Sequence, residues 1–297
     1  MTEAASTFYT PQSRFTDPRA MAWWFDGVRS DLSSIHAAAC SLVFHYTANG
    51  DITRHGFAAG RIGEIDERYA DVLLERLHEL DPAPLGGVRA LTDRVVGCCR
   101  DSTLLFVALA RHHGIPARAR VGFSMYLEPE WALDHVVGEV WDRNEGRWRL
   151  VDAQFAEHGA IDVLDVPREL FLTGPQAWAQ CRAGLLDPDR FVVSPNRREQ
   201  FLRSWPQLAH NVVQDLAALN KHEMILWDVW GLLGDETVDA EELAPKLDAL
   251  AELLQAPDVM LERIISLFDD ADWRVPETVA SFSPAALGPA RVTLRAD

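Results

Sequence analysis

Apolar residues in this chain recur first at helical and then at strand spacing, and the change falls near residue 117. Residues 19–46 carry Trp23, Trp24, Phe25, Val28, Leu32, Ile35 and Leu42 at mixed three- and four-residue steps, which predicts one or two helices. Residues 49–63 hold four glycines and read as a loop or short turns. A helix is predicted over 65–80, with Val72, Leu73, Leu77 and Leu80 on one face and Pro82 and Pro84 beyond its end. A second strong stripe, Leu104, Leu105, Ala108 and Leu109, predicts a helix over 99–113, closed by Gly114 with Pro116 following. From there the period drops to two. Strands are predicted over 118–126, 136–141 and 148–151, the last two joined by the polar turn Arg143-Asn144-Glu145-Gly146 as a hairpin. Helical spacing returns over 208–219, 224–233, 240–254 and 259–268, and the tail from Trp273, with three prolines, is expected to be irregular.

Neither an internal repeat nor a linker interrupts the 297 residues. The expected organisation is one compact unit: a helical segment over 1–85, a catalytic core over 86–190 and a helical extension over 191–297. Hydrophobic residues make up 48% and charged residues 25%, the balance of a folded globular chain. The formal charge of −17 would repel a phosphate backbone, so nucleic acid is not an expected partner. Only Lys221 and Lys246 among the basic residues are lysines, and arginine favours fixed, bidentate contacts. Cys40, Cys98, Cys99 and Cys181 are too few for a disulfide framework, so reduced thiols are expected. Residues 1–18 carry no basic or apolar signal region, and no apolar run approaches membrane-spanning length. The expected compartment is the cytosol, with no membrane partner.

The chemistry gathers around Gly97-Cys98-Cys99-Arg100-Asp101. A cysteine in the first turn of a helix meets free N–H groups and the positive end of the dipole, which favour a thiolate. In the hairpin, residue 142 faces 147, so paired indices sum to 289; His135 then faces Gln154, Asp152 faces Val137, and all four point to one side. His135 and Asp152 become diagonal neighbours, within reach of a side-chain hydrogen bond. A thiol, an imidazole and a carboxylate in this relation form a cysteine triad: His135 takes and returns the proton, and Asp152 fixes its tautomer. Cys98 is the rival nucleophile, but on a helix its side chain points about 100° from that of Cys99. The Cys99 N–H is one oxyanion donor, and Arg89, Trp131 and residues 49–63 are candidates for the second. Trp131 is also a candidate wall of the cleft. Zinc held by Cys98, Cys99, His112 and His113 is disfavoured, because adjacent ligands converge poorly on one tetrahedron. Asn211, Asp215, Asn220 and Glu223 read as a solvated helix face.

With Leu109-Ala110-Arg111, Gly114-Ile115-Pro116-Ala117-Arg118, His135 followed by Glu139 and Trp141, and Trp148-x-x-Val151-Asp152, residues 86–155 resemble the core of the transglutaminase-like superfamily. The resemblance implies an α+β, papain-like fold in which a nucleophile helix packs on an antiparallel sheet, with N- and C-terminal helical extensions. It places the catalytic residues at Cys99, His135 and Asp152. Val137 stands where the family often has an aromatic, and Gln154 departs from the usual continuation after the aspartate. The expected activity is acyl transfer through a thioester, from an amide or thioester donor to an amine, with amide or peptide hydrolysis by water as the alternative and a non-catalytic binding module as the rival of another class. No cofactor or metal is implied. Around a site that must stabilise a thiolate and an oxyanion, the −17 charge implies either acid segregated away from the cleft or a cationic substrate.

Overall fold

The computed structural model describes residues 1–159, 161–234 and 240–296. Its centre is the antiparallel sheet β5-β4-β3-β6, built from Ala117–Glu128 (β3), Trp131–Asp142 (β4), Arg147–Val151 (β5) and Phe171–Thr173 (β6). The short strand Phe191–Val192 (β7) adds in parallel to the start of β4. The hairpin register is the one the turn dictates: Asp142 pairs Arg147, Trp141 pairs Trp148 and Gly138 pairs Val151.

Two helices cover one face of this sheet. Cys99–His112 (α5) crosses β4 and β3, and Ser204–Leu219 (α7) packs on β3. The approach of α5 is close because Gly138 has no side chain: a Cβ there would lie 2.6 Å from the Phe106 ring. Thr103 fixes the same crossing by donating its hydroxyl to Val136 O at 2.9 Å. Leu32–Cys40 (α3) packs against α5 from outside. Phe106, Val107, Leu109, Ala117, Phe123 and Val140 form part of the common core.

Several expected elements change. The chain segment 19–46 contains helices, Ala22–Phe25 (α2) and α3, but ends in a strand, Val43–His45 (β1), which pairs in parallel with Val95–Gly97 (β2). The helix expected over 65–80 begins only at Ala70 (α4, Ala70–Leu80) and is preceded by a 3-10 helix, Ala59–Asp66. The break has a cause: Arg100 binds Glu67 O and Arg68 O, and Ala70 N donates to Phe15 O, so these groups cannot serve an α-helix. Residues 224–233 are not an α-helix but a short strand, Asp228–Val229 (β8), and a 3-10 turn, Gly231–Gly234. Gln214 of α7 donates to Ile225 O and Asp228 O, and Gly231, at φ +54, lies where a Cβ would meet Asp272 O at 2.2 Å. The tail is ordered: Thr278–Ser281 (β9) and Ala290–Thr293 (β10) join β8 in a small antiparallel sheet. Two elements have no clear announcement in the pattern, Glu3–Tyr9 (α1) and Gly174–Arg182 (α6). Ala240–Leu253 (α8) and Leu261–Leu267 (α9) lie within the expected helices.

The supposed solvated face, which runs along α7 and just past its end, is buried. Asn211 and Asp215 have no exposed surface, and Asn220 and Glu223 are nearly as enclosed. Each has a partner: Asp215 takes Arg120 and the Val121 N–H, Asn211 donates to Gly122 O, Asn220 to Leu216 O, and Glu223 binds Arg111 and Ser13. Helical period locates polar residues on a face; it does not distinguish water from buried guanidinium as their partner.

Candidate active site

Cys99 is the first residue of α5, where an N–H has no upstream helical carbonyl to bind. The start is fixed by Asp101, whose Oδ2 accepts the Cys98 N–H at 2.8 Å while Arg100 binds Oδ1 at 3.0 Å. Below it, β4 presents His135, and β5 runs out into Asp152. His135 Nε2 and Asp152 Oδ2 are 2.9 Å apart, with both residues buried. That bond leaves the imidazole Nδ1 for the thiol.

Asp152 is held at every polar atom. Tyr126 donates its hydroxyl to Oδ2 at 2.6 Å, Gln154 N donates to Oδ1, Asp152 N donates to Val163 O, and His36 Nε2 binds its carbonyl at 2.9 Å. Burial opposes its ionisation, but His135, Tyr126 and the Gln154 amide outweigh burial and hold the carboxyl below its usual range. For His135 burial likewise opposes the charge; Asp152 and the Cys99 thiolate overcome it and raise the imidazole from 6.5 to about 10. The Cys99 thiol lies well below the ordinary thiol range, through hydrogen bonds from Cys98, His135 and His45 and the charge of His135, against the cost of burial. Cys98 moves the other way, because its thiol binds that of Cys99 and is itself buried. These directions favour a thiolate on Cys99 and a proton on His135, with the Asp152 carboxylate behind it.

His45 is the residue that sequence reasoning missed. It lies on β1 opposite Gly97, and the Tyr46 N–H bond to Gly97 O at 3.0 Å locks the register two residues before Cys99. Its Nδ1 accepts the Thr47 and Ala48 amides at 3.3 and 3.1 Å, which leaves the proton on Nε2, at the other end of the ring. Of the donors considered from sequence, Arg89 donates to Asp81 O and Ala83 O and lies over Trp24, while Arg203 lies over the Trp131 ring at 5.9 Å. The segment 49–63 follows β1 in the chain. His45 stands just outside that segment.

Asp134 precedes His135 on β4 and, by the alternation of a strand, points to the other side of it. It is half-buried and accepts the Asn211 amide at 2.8 Å on Oδ1. Burial and the neighbouring Cys99 thiolate raise its carboxyl from 3.8 to about 7. The four cysteines are all free thiols. Cys98 and Cys99 stand at one end of α5 and His112 and His113 at the other, about 20 Å away at 1.5 Å per residue, so they do not converge on a metal. Among the described residues no helix is long and apolar enough to cross a membrane.

A nucleophile helix on an antiparallel sheet, with thiol, imidazole and carboxylate brought together, defines the class: an α+β cysteine-dependent catalyst. Residues 71–153 match the transglutaminase-like superfamily, and this segment contains Cys99, His135 and Asp152. The chain is also similar to a solved structure from Cytophaga hutchinsonii named "Putative Cysteine Protease", with 18% identity and a TM-score of 0.34. That similarity covers 58% of this chain and 46% of the other, so the present chain spans less than half of its length. No curated protein matches the chain by sequence.

Proposed function

We propose that the protein is an acyltransferase in which Cys99 attacks the carbonyl carbon of an amide or thioester donor and passes the acyl group to an amine. The new C–S bond places negative charge on the carbonyl oxygen, which is met by the Cys99 N–H and by the Nε2–H of His45. The intermediate collapses, the bond to the leaving group breaks, and His135 Nδ1 protonates that group as it departs. With the thiolate now spent, the charge that held His135 protonated is reduced, so the imidazole is ready to accept a proton from the incoming amine. Attack of the amine and expulsion of Cys99 then restore the thiolate and imidazolium.

The observation that carries this reading is the buried 2.9 Å bond between His135 and Asp152 beside a thiol held well below its ordinary range. Hydrolysis by the same residues is the alternative. Intact-protein mass spectrometry after incubation with small acyl thioesters and glutamine-containing peptides tests the first half of the reaction. An acyl adduct on the wild type that is lost in Cys99→Ala supports it. An adduct, or turnover, that persists in Cys99→Ala contradicts it.

A further inference from the structure

Of the two lysines in the chain, Lys246 is paired with Asp272 at 3.1 Å. Lys221 has no such partner. Among the described residues its Nζ makes no hydrogen bond or ion pair, and it lies over the Phe8 ring, 5.3 Å from the centroid. Glu223, two residues on, is already engaged: Arg111 binds Oε1 at 2.9 Å and Ser13 donates to Oε2 at 2.7 Å. Lys221 is at φ +62, one residue past the C-cap of α7, with its N–H on Ala218 O and the His222 N–H on Ala217 O. Glycine is the ordinary residue in this helix-ending arrangement, and here the position carries a long cationic side chain. That side chain lines an open hollow of about 650 Å³ between α1, α9 and the end of α7. Phe8, Leu261 and Ile265 give the hollow apolar walls, and the exposed Glu3 and Glu262 are also in its lining. It is remote from the triad: Arg111, bonded to Glu223, is about 18 Å along α5 from Cys99 at 1.5 Å per residue.

We propose that this hollow binds a small organic monocarboxylate with an apolar chain, the carboxylate on Lys221 and the chain against Phe8, Leu261 and Ile265. Each part of that ligand answers an observation. The unpaired ammonium gains a charge-assisted hydrogen bond from an anion, and the apolar walls gain buried area from the chain. Glu3 and Glu262 oppose a second negative charge, as does the net charge of −17, so polyanions such as citrate or a nucleotide are rejected. The volume is that of an ordinary small-molecule site. Burial and the charge of Arg111, partly offset by Glu223, lower the Lys221 ammonium from 10.5 to about 8, and a bound carboxylate supplies the opposite charge that the fold withholds. The site stands apart from Cys99 and does not rest on the acyl-transfer reading.

The test uses the full chain and octanoate as the probe. With the lysines dimethylated by 13C-formaldehyde, NMR reads Lys221 and Lys246 as separate signals. Octanoate should move the Lys221 signal and raise its titration midpoint by about one unit or more, because a carboxylate favours the protonated amine and one unit is tenfold in affinity between the two forms. The Lys246 signal should stay in place. In calorimetry on the unmodified protein, Lys221→Gly should bind octanoate about tenfold or more weakly, as for loss of a charged hydrogen bond, while Lys221→Arg, which keeps the charge, should bind it. Glycine suits φ +62, so a folding defect does not account for the loss. The wild type should also bind suberate, the dianion of the same chain length, about tenfold more weakly than octanoate. An unmoved Lys221 signal, an equal octanoate affinity in Lys221→Gly, or an equal affinity for suberate overturns the assignment. A Lys221 signal that moves with protein concentration and not with octanoate gives the hollow to a second copy of the chain and overturns it as well. All of these outcomes leave the acyl adduct on Cys99, measured separately, untouched.

Discussion

The two ends of β4 hold two buried charge clusters on the same face of the sheet. At one end, Glu139 accepts Arg118 at 2.7 Å, Arg120 at 3.3 Å and Arg168 at 2.7 Å, while Asp258 and Asp215 take the remaining donors of Arg118 and Arg120. At the other, His135 stands between Asp152 and Cys99. Both clusters shift the ionisation of their members: Glu139 is held far below its usual range because its three guanidinium partners outweigh burial, and His135 is raised to about 10. The difference is in what can move. Arginine does not release its proton, so the Glu139 cluster is a fixed ledger of opposite charges. Imidazole and thiol exchange a proton between them, and Asp152 biases that exchange without taking part in it. A displaced ionisation marks strong interaction; chemistry requires that the displaced proton have somewhere to go.

Substitutions separate the two clusters. Asp152→Asn removes the charge behind His135 and should lower kcat/KM by about 10³–10⁴-fold, read by steady-state kinetics on any donor that acylates Cys99; a loss below tenfold would merge the two ends. Glu139→Ala leaves two buried arginines short of an anion and should cost about 3–5 kcal/mol in denaturant unfolding. Because the Glu139 carboxyl is depressed in the fold, its contribution is present above its unfolded value of 4.5 and is lost as pH falls below it, so the gap between wild type and variant should narrow in acid. The alkylation profile of Cys99 in the folded variant should not change.

His45→Ala removes an oxyanion donor and should lower kcat by about 10²-fold with KM little altered. Tyr126→Phe deletes one hydrogen bond to the Asp152 carboxylate and should cost about tenfold in kcat/KM. A stability loss without a kinetic one in either variant would move that residue to the structural side of the comparison.

The nucleophile helix and the hairpin register were legible because both are local: a stripe ending at Gly114, and a four-residue turn that fixes every pair back to Gly138. The transglutaminase-like match at 71–153 agrees with that core. His45 was not legible, because β1 pairs with a strand some fifty residues later and nothing in its own three residues announces a parallel partner. The polar residues of α7 were misread for a related reason, since Arg120, which pairs Asp215, comes from a distant strand. The scarcity of lysine fits this interior: Arg68, Arg100, Arg111, Arg118 and Arg120 are all buried and bonded to named partners.

The central claim is that Cys99 rests as a thiolate paired with the His135 imidazolium, and its pH profile of alkylation tests this most directly. With iodoacetamide, monitored by intact mass and peptide mapping, Cys99 should label rapidly and at a nearly constant rate from about pH 6 to 8, and this labelling should be lost at pH 6 in Asp152→Asn. A rate that is negligible at pH 6 and climbs through the ordinary thiol range near 8.5 would contradict the account.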